Sequence, residues 1–114
     1  MSSRTKTMKS PSDRTFKEEG ALLQAVKDWL EPQQRDGIKM IRINDRYAKG
    51  YSDLFLCVQG QFVIIELKDD VGTASPHQEQ FIKDMLKAGA IGGVCRTVKE
   101  VADYVEEAKR RRTC

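Results

Sequence analysis

Residues 53–68, DLFLCVQGQFVIIELK, decide how the rest of this 114-residue chain is read. Asp53-Leu54-Phe55-Leu56-Cys57-Val58 and Phe62-Val63-Ile64-Ile65-Glu66-Leu67-Lys68 are two strand-like runs. The intervening Gln59-Gly60-Gln61 is short enough to be a hairpin turn. Both runs are apolar on both faces, the pattern of strands inside a sheet covered on each side. If the loop is two residues, Gln59-Gly60, then Val58 pairs with Gln61 and Asp53 faces Glu66. Side chains alternate along a strand, so Lys68 then shares the face of Glu66. A three-residue loop without a bulge would slide the register by one and send Asp53 to the opposite face.

The flanking segments supply the covering layers. After the hairpin, Ser75-Pro76-His77-Gln78 is a capping-box pattern with proline at the first helical position, leading into a stripe of Phe81, Ile82, Met85 and Leu86 that ends near Gly89. Ile91 to Cys95 reads as a short strand. Thr97 with Glu100 then caps a last helix carrying Val98, Val101, Ala102 and Val105 before the basic run Lys109-Arg110-Arg111-Arg112. Before the hairpin, Ile38 to Ile43 reads as a strand, and Asn44 to Gly50 as a polar, partly basic loop. Further upstream, Leu22, Leu23, Val26, Trp29 and Leu30 recur at helical spacing, with Thr15 and Glu18 as a capping-box signature. Residues 1–12 hold almost no apolar surface to offset the entropy of ordering. The expected organisation is therefore a basic N-terminal arm over 1–14, one domain over 15–108 and a basic tail over 109–114. Helix, three strands, helix, strand, helix describes a three-layer α/β unit.

Composition agrees with one compact unit. Charged residues make up 32% and apolar ones 39%, and the net charge is only +3. No stretch approaches the roughly 18 consecutive apolar residues of a membrane span, and residues 1–15 lack the apolar core of a secretory signal, so a cytosolic protein is expected. Three cysteines are too scattered for a zinc knuckle or disulfide frame; Cys57 and Cys95, in apolar runs, read as buried reduced thiols. With His77 the single histidine, any catalytic metal must be held by carboxylates and should be a hard, oxygen-loving ion. His77 itself reads as a surface residue at a helix start.

Burying Glu66 behind Phe62-Val63-Ile64-Ile65 is expensive unless a counter-charge is close. Two facing carboxylates repel, one lysine compensates only half, and a divalent cation would neutralise both. The alternative is a plain strand-end ion pair between Glu66 and Lys68, with Asp53 merely starting its strand in solvent.

Gly50-Tyr51-Ser52-Asp53 followed by Ile65-Glu66-Leu67-Lys68 resembles the signature of the PD-(D/E)xK nuclease superfamily, in which an aspartate opens one strand and Glu-x-Lys closes the next. The closer likeness is to its virus-type replication-repair branch, VRR-NUC, with Gly50 to Asp53, Glu66 to Lys68, Ser75 to Gln78 and Gly89-Ala90 in order over roughly residues 16 to 105. Ser52 stands where many members carry proline. The resemblance implies a restriction-endonuclease-like fold, an αβββαβ core whose central mixed sheet is flanked by helices. It implies a metal-dependent DNA endonuclease in which Asp53, Glu66 and the backbone carbonyl of Leu67 ligate Mg²⁺ or Mn²⁺, while Lys68 orients the attacking water or steadies charge on the phosphorane.

Members commonly add a carboxylate from the first helix. Glu18 is claimed by the capping box, whereas Glu19 precedes Leu22, Val26 and Leu30 on the inward stripe and is the expected auxiliary ligand; the alternative is a carboxylate favoured by the helix dipole. Gln78 matches a glutamine near this family's active site; closing its own capping box is the other reading, and the two can coexist. Arg42, Arg46 and Lys49, ahead of the catalytic strand, are candidate phosphate contacts, scattered solvated charge being the alternative. The Lys109 to Arg112 run reads first as a solvated helix end. By the resemblance the partner is DNA, branched as in Holliday junctions, cut by a homodimer of phage type in the phage or bacterial host cytosol. A non-catalytic DNA-binding module and a structural subunit are the rivals.

Overall fold

The computed structural model describes residues 10–42 and 54–111, apart from the side chains of Arg35, Asp36 and Arg42. The elements are α1 (Glu19–Leu30), a 3-10 turn (Glu31–Asp36), β1 (Ile38–Arg42), β2 (Leu54–Val58), β3 (Gln61–Leu67), α2 (Pro76–Lys87), β4 (Ile91–Cys95) and α3 (Val98–Arg111). They build the expected αβββαβ core, closed by α3, around one mixed sheet in the order β1-β2-β3-β4. The first two pairings are antiparallel, and the crossover through α2 makes β3 and β4 parallel.

The central turn is the two-residue one. Gln59 (φ 51°) and Gly60 (φ 92°) both occupy the left-handed region, as a primed hairpin turn requires, and Val58 pairs with Gln61. The turn is tied to its neighbours: Gln59 N–H donates to the Gly37 carbonyl at 2.7 Å, and Gln61 Nε2 to the Gly89 carbonyl at 3.0 Å. The ladder is described as far as Leu54 opposite Ile65.

The core lies between one face of the sheet and the helices α1 and α3. Leu22, Val26 and Leu30 from α1, and Val98, Val101, Val105 and Ala108 from α3, cover Leu54, Leu56, Val58, Val63, Ile65, Leu67, Ile91 and Cys95. Each fully buried leucine, isoleucine or valine contributes about 1.5–3 kcal/mol. Among the described residues, α2 covers the opposite face: its Ile82 is buried and its Phe81 stacks on Phe55 with centroids 6.2 Å apart. One helix of twelve residues does not span four strands. Cys57 is therefore exposed, correcting its expected burial, and Phe62 is 36% exposed. β3 alone matches the two-sided pattern, with every residue from Val63 to Leu67 buried.

Two further expectations change. Thr15 and Glu18 form no capping box: Glu18 is the N-cap itself, makes no side-chain cap bond, and the helix begins at Glu19. Residues 12–16 are drawn elsewhere. Phe16 packs against the core, its carbonyl accepts the Asp70 N–H at 2.8 Å, Arg14 lies 4.6 Å over its ring, and Ser12 O accepts the Lys99 N–H at 2.8 Å. Backbone bonds to the domain thus outcompete a local cap. At the other end α3 runs through Arg111, so Lys109 and Arg111 belong to its last turn, where each pairs with a glutamate of the same helix. Arg112 is outside the described residues. Among the described residues, no helix is long and apolar enough to cross a membrane.

Gly92 is where β4 meets β3 most closely: its φ is 136°, and an added Cβ would stand 1.8 Å from the Ile64 carbonyl oxygen. Backbone atoms cannot yield by that much. Gly92→Ala is expected to lower the unfolding free energy by on the order of 3 kcal/mol or more, read from urea denaturation; an unchanged midpoint would contradict this packing. Burial, the largest cause, and the nearby Glu100 and Asp103 push the Cys95 thiol well above the ordinary range, which keeps it protonated. In a Cys114→Ser background, native protein should therefore take up one equivalent of a thiol reagent at Cys57 and a second only after unfolding.

Candidate active site

Glu66 is the penultimate residue of the most buried strand, and it is itself 1% exposed. Strand alternation turns it away from Ile65 and Leu67, which face α1 and α3, toward the first turn of α2. There Gln78 Nε2 donates to Glu66 Oε2 at 2.8 Å. Lys68, one residue past the strand and two past Glu66, places Nζ 3.2 Å from the same oxygen. A nearly dry carboxylate thus meets an ammonium and accepts an amide hydrogen bond on one atom.

The third group arrives from α1. Glu19 Oε2 lies 3.9 Å from Lys68 Nζ, with 47% of the Glu19 side chain and 16% of the Lys68 side chain exposed. Glu19 does not lie on the buried stripe as expected. Because the helix starts at Glu19, that residue sits at the solvent lip of the site. The start of α1 is held beside the end of β3 by the Asp70 to Phe16 backbone bond, and Lys68 N–H is fixed to the Cys95 carbonyl at 3.1 Å. Two carboxylates from distant parts of the chain thereby converge on one ammonium.

Gln78 closes its own capping box, and its amide also reaches Glu66. The Ser75 N–H donates to Gln78 Oε1 at 2.9 Å and the Gln78 N–H to Ser75 Oγ at 3.1 Å, completing the capping box, while the other end of the amide holds Glu66. Leu67, whose carbonyl was an expected ligand, is buried between Glu66 and Lys68 and pairs with Cys95. His77 is exposed, as anticipated. Asp53, Arg46 and Lys49 lie outside the described residues, as does the side chain of Arg42. Among the described residues, no group of three or more His, Cys, Asp or Glu that could hold a metal ion occurs.

One feature was not anticipated. The loop after Lys68 is shaped by Asp69, whose Oδ1 accepts the Val71 and Gly72 N–H groups, and by Arg96, whose Nη1 donates to the Asp69 carbonyl. Asp followed by a glycine three residues on is a recognisable turn signal. Nothing local marks Arg96, because its partner is distant in sequence.

Lys68→Ala would remove the ammonium that stands 3.2 Å from the buried Glu66 carboxylate. A stability loss of about 3 kcal/mol is expected in the absence of any divalent ion, measured by denaturant titration in EDTA. A loss under about 0.5 kcal/mol would mean that the ion pair is effectively solvent-screened.

The sequence matches no family model and no curated protein. Among solved structures the fold is similar to that of a VRR_NUC domain protein, with a TM-score of 0.64 and 21% sequence identity over 81% of this chain and 88% of the other. The shared fold, not the sequence, carries that likeness.

Proposed function

We propose that this chain is a metal-dependent deoxyribonuclease of the PD-(D/E)xK, VRR-NUC type, with its active centre at Glu66, Lys68 and Gln78. The observation that carries the reading is a buried carboxylate, Glu66, held at a strand end by an ammonium and an amide that share one of its oxygens. The fold shared with a VRR_NUC domain protein supports it. For a purely structural ion pair a buried charge is a poor choice, since apolar residues of like volume stabilise as well or better.

On the metal reading, the β2–β3 pairing, described as far as Leu54 opposite Ile65, would continue by one step and bring Asp53, outside the described residues, opposite Glu66. Asp53, Glu66, Glu19 and the Leu67 carbonyl then make an all-oxygen donor set, the chemistry that fits Mg²⁺ or Mn²⁺ and not a soft ion. When bound, such an ion supplies positive charge and acidifies a nearby water. Hydrolysis forms a bond from water oxygen to phosphorus and breaks one to a bridging oxygen, adding negative charge to the phosphorus centre. The Lys68 ammonium orients that water or donates to the oxygen where charge develops, and Glu66 keeps the ammonium in place. Arg42, Arg46 and Lys49 serve as phosphate contacts.

A domain this small has little surface with which to read a base sequence. We therefore favour selection of DNA by shape, with branched substrates such as Holliday junctions cut by a two-fold homodimer. The test incubates wild type, Lys68→Ala and Glu66→Gln with labelled linear, flapped, bubbled and four-way DNA in Mg²⁺, Mn²⁺ or EDTA. Both variants are expected to lose on the order of 100-fold or more in rate. EDTA should abolish cutting. Cleavage that ignores EDTA and Lys68→Ala would remove the mechanism, and a monomer equally active on linear duplex would remove the dimer and the branch preference. Unaltered DNA binding by Asp53→Ala, with no cleavage by any form, would favour the binding-module alternative.

A further inference from the structure

Three hydrogen bonds form a continuous chain from the start of α2 into the site: Ser75 N–H to Gln78 Oε1 at 2.9 Å, and Gln78 Nε2 to Glu66 Oε2 at 2.8 Å, with Ser75 Oγ receiving the Gln78 N–H at 3.1 Å. We propose that the N-cap of α2 is an orienting device for the active centre, in which the Ser75 backbone N–H acts as the positioning group that fixes which end of the Gln78 amide faces Glu66. The inference rests on the active-site reading above and adds to it a residue that touches neither substrate nor metal.

A side-chain amide has an acceptor end and a donor end of nearly equal size, and left to itself it can present either. A backbone N–H can only donate. By claiming Oε1, Ser75 excludes the flipped amide, so the end facing Glu66 must be the donor. Oε2 of Glu66 then receives two donors, Gln78 Nε2 and Lys68 Nζ, from two different elements. Together they hold the carboxylate plane in one setting. Positions held to within a fraction of an ångström are what separate an active constellation from an inactive one. The backbone at Ser75, φ −71° and ψ 162°, is extended and ahead of Pro76, so the N–H direction is set by the chain and not by a rotamer.

A helix cap that serves only the helix makes different predictions. Ser75→Ala removes Oγ but keeps the N–H; Ser75→Pro removes both, at a φ that proline adopts. The full chain is examined by side-chain amide NMR in EDTA, with the Gln78 resonances assigned by their loss in Gln78→Glu. Wild type and Ser75→Ala should show one Gln78 amide proton shifted downfield and slowed in exchange. In Ser75→Pro the two protons should approach the values of a free amide. Equal spectra in Ser75→Ala and Ser75→Pro would overturn the proposal.

A second route does not need Ser75→Pro to fold. Gln78→Glu retains an acceptor for the Ser75 N–H, since glutamate is a regular partner in this cap, but presents no donor to Glu66. It is expected to lower kcat at least tenfold with KM within about twofold, while Ser75→Ala stays within about twofold in both. Wild-type kcat in Gln78→Glu would overturn the proposal. The NMR arm is independent of cleavage: if wild type cuts no DNA, the nuclease reading fails and the Gln78 signature still decides the orienting role.

Discussion

A buried carboxylate, Glu66, organises one end of this molecule. Glu66 stands where the most buried strand ends, and a charge in that position is tolerated only if every neighbouring element answers it. Three do so: β3 continues into Lys68, α2 supplies Gln78, and the start of α1 brings Glu19 to the same ammonium. The loop chemistry around Asp69, Arg96 and Phe16 then reads as the means of holding those three elements together.

The two sides of the sheet divide the work. Toward α1 and α3 the packing is continuous and apolar, and it is this face that supplies the core. Toward α2 the cover among the described residues is one helix, and the same strands keep a polar cluster at one end and exposed Cys57 and Phe62 at the other. A sheet sealed equally on both faces would have no lip at which Glu19 and Lys68 meet solvent. The proposed chemistry needs that asymmetry, because a substrate as large as DNA can approach a strand end but not a sheet centre.

The likeness to a VRR_NUC domain protein is a likeness of fold at 21% identity, with no family model matching the sequence. Motif reading and structural comparison nevertheless converge from separate directions. The first rests on Glu66, Lys68 and the Ser75 to Gln78 helix start, and the second on the path of the backbone as a whole. Where they meet is the fold.

Local sequence was sufficient wherever a local rule had no competitor. The Ser75 to Gln78 box set the start of α2, and the apolar spacing of Leu22, Val26 and Leu30 set the buried side of α1, whereas the choice between a two- and a three-residue loop after Val58, and with it the β2–β3 register, was decided by the fold. It misled where long-range contacts outbid a local signal. The Thr15–Glu18 pattern is a sound cap in isolation, yet backbone bonds from Asp70 and Lys99 and the packing of Phe16 draw those residues out of the helix. Cys57 sits in an apolar run, yet its exposure depends on how far one helix reaches across the sheet. Glu19 was identified by helical spacing, but its place at the lip, 3.9 Å from Lys68, follows from where tertiary bonds let the helix begin. Hydrogen-bond partners adjacent along the chain can be read from residue types; partners that meet only when layers pack are decided by the fold, because no sequence interval encodes the distance between them.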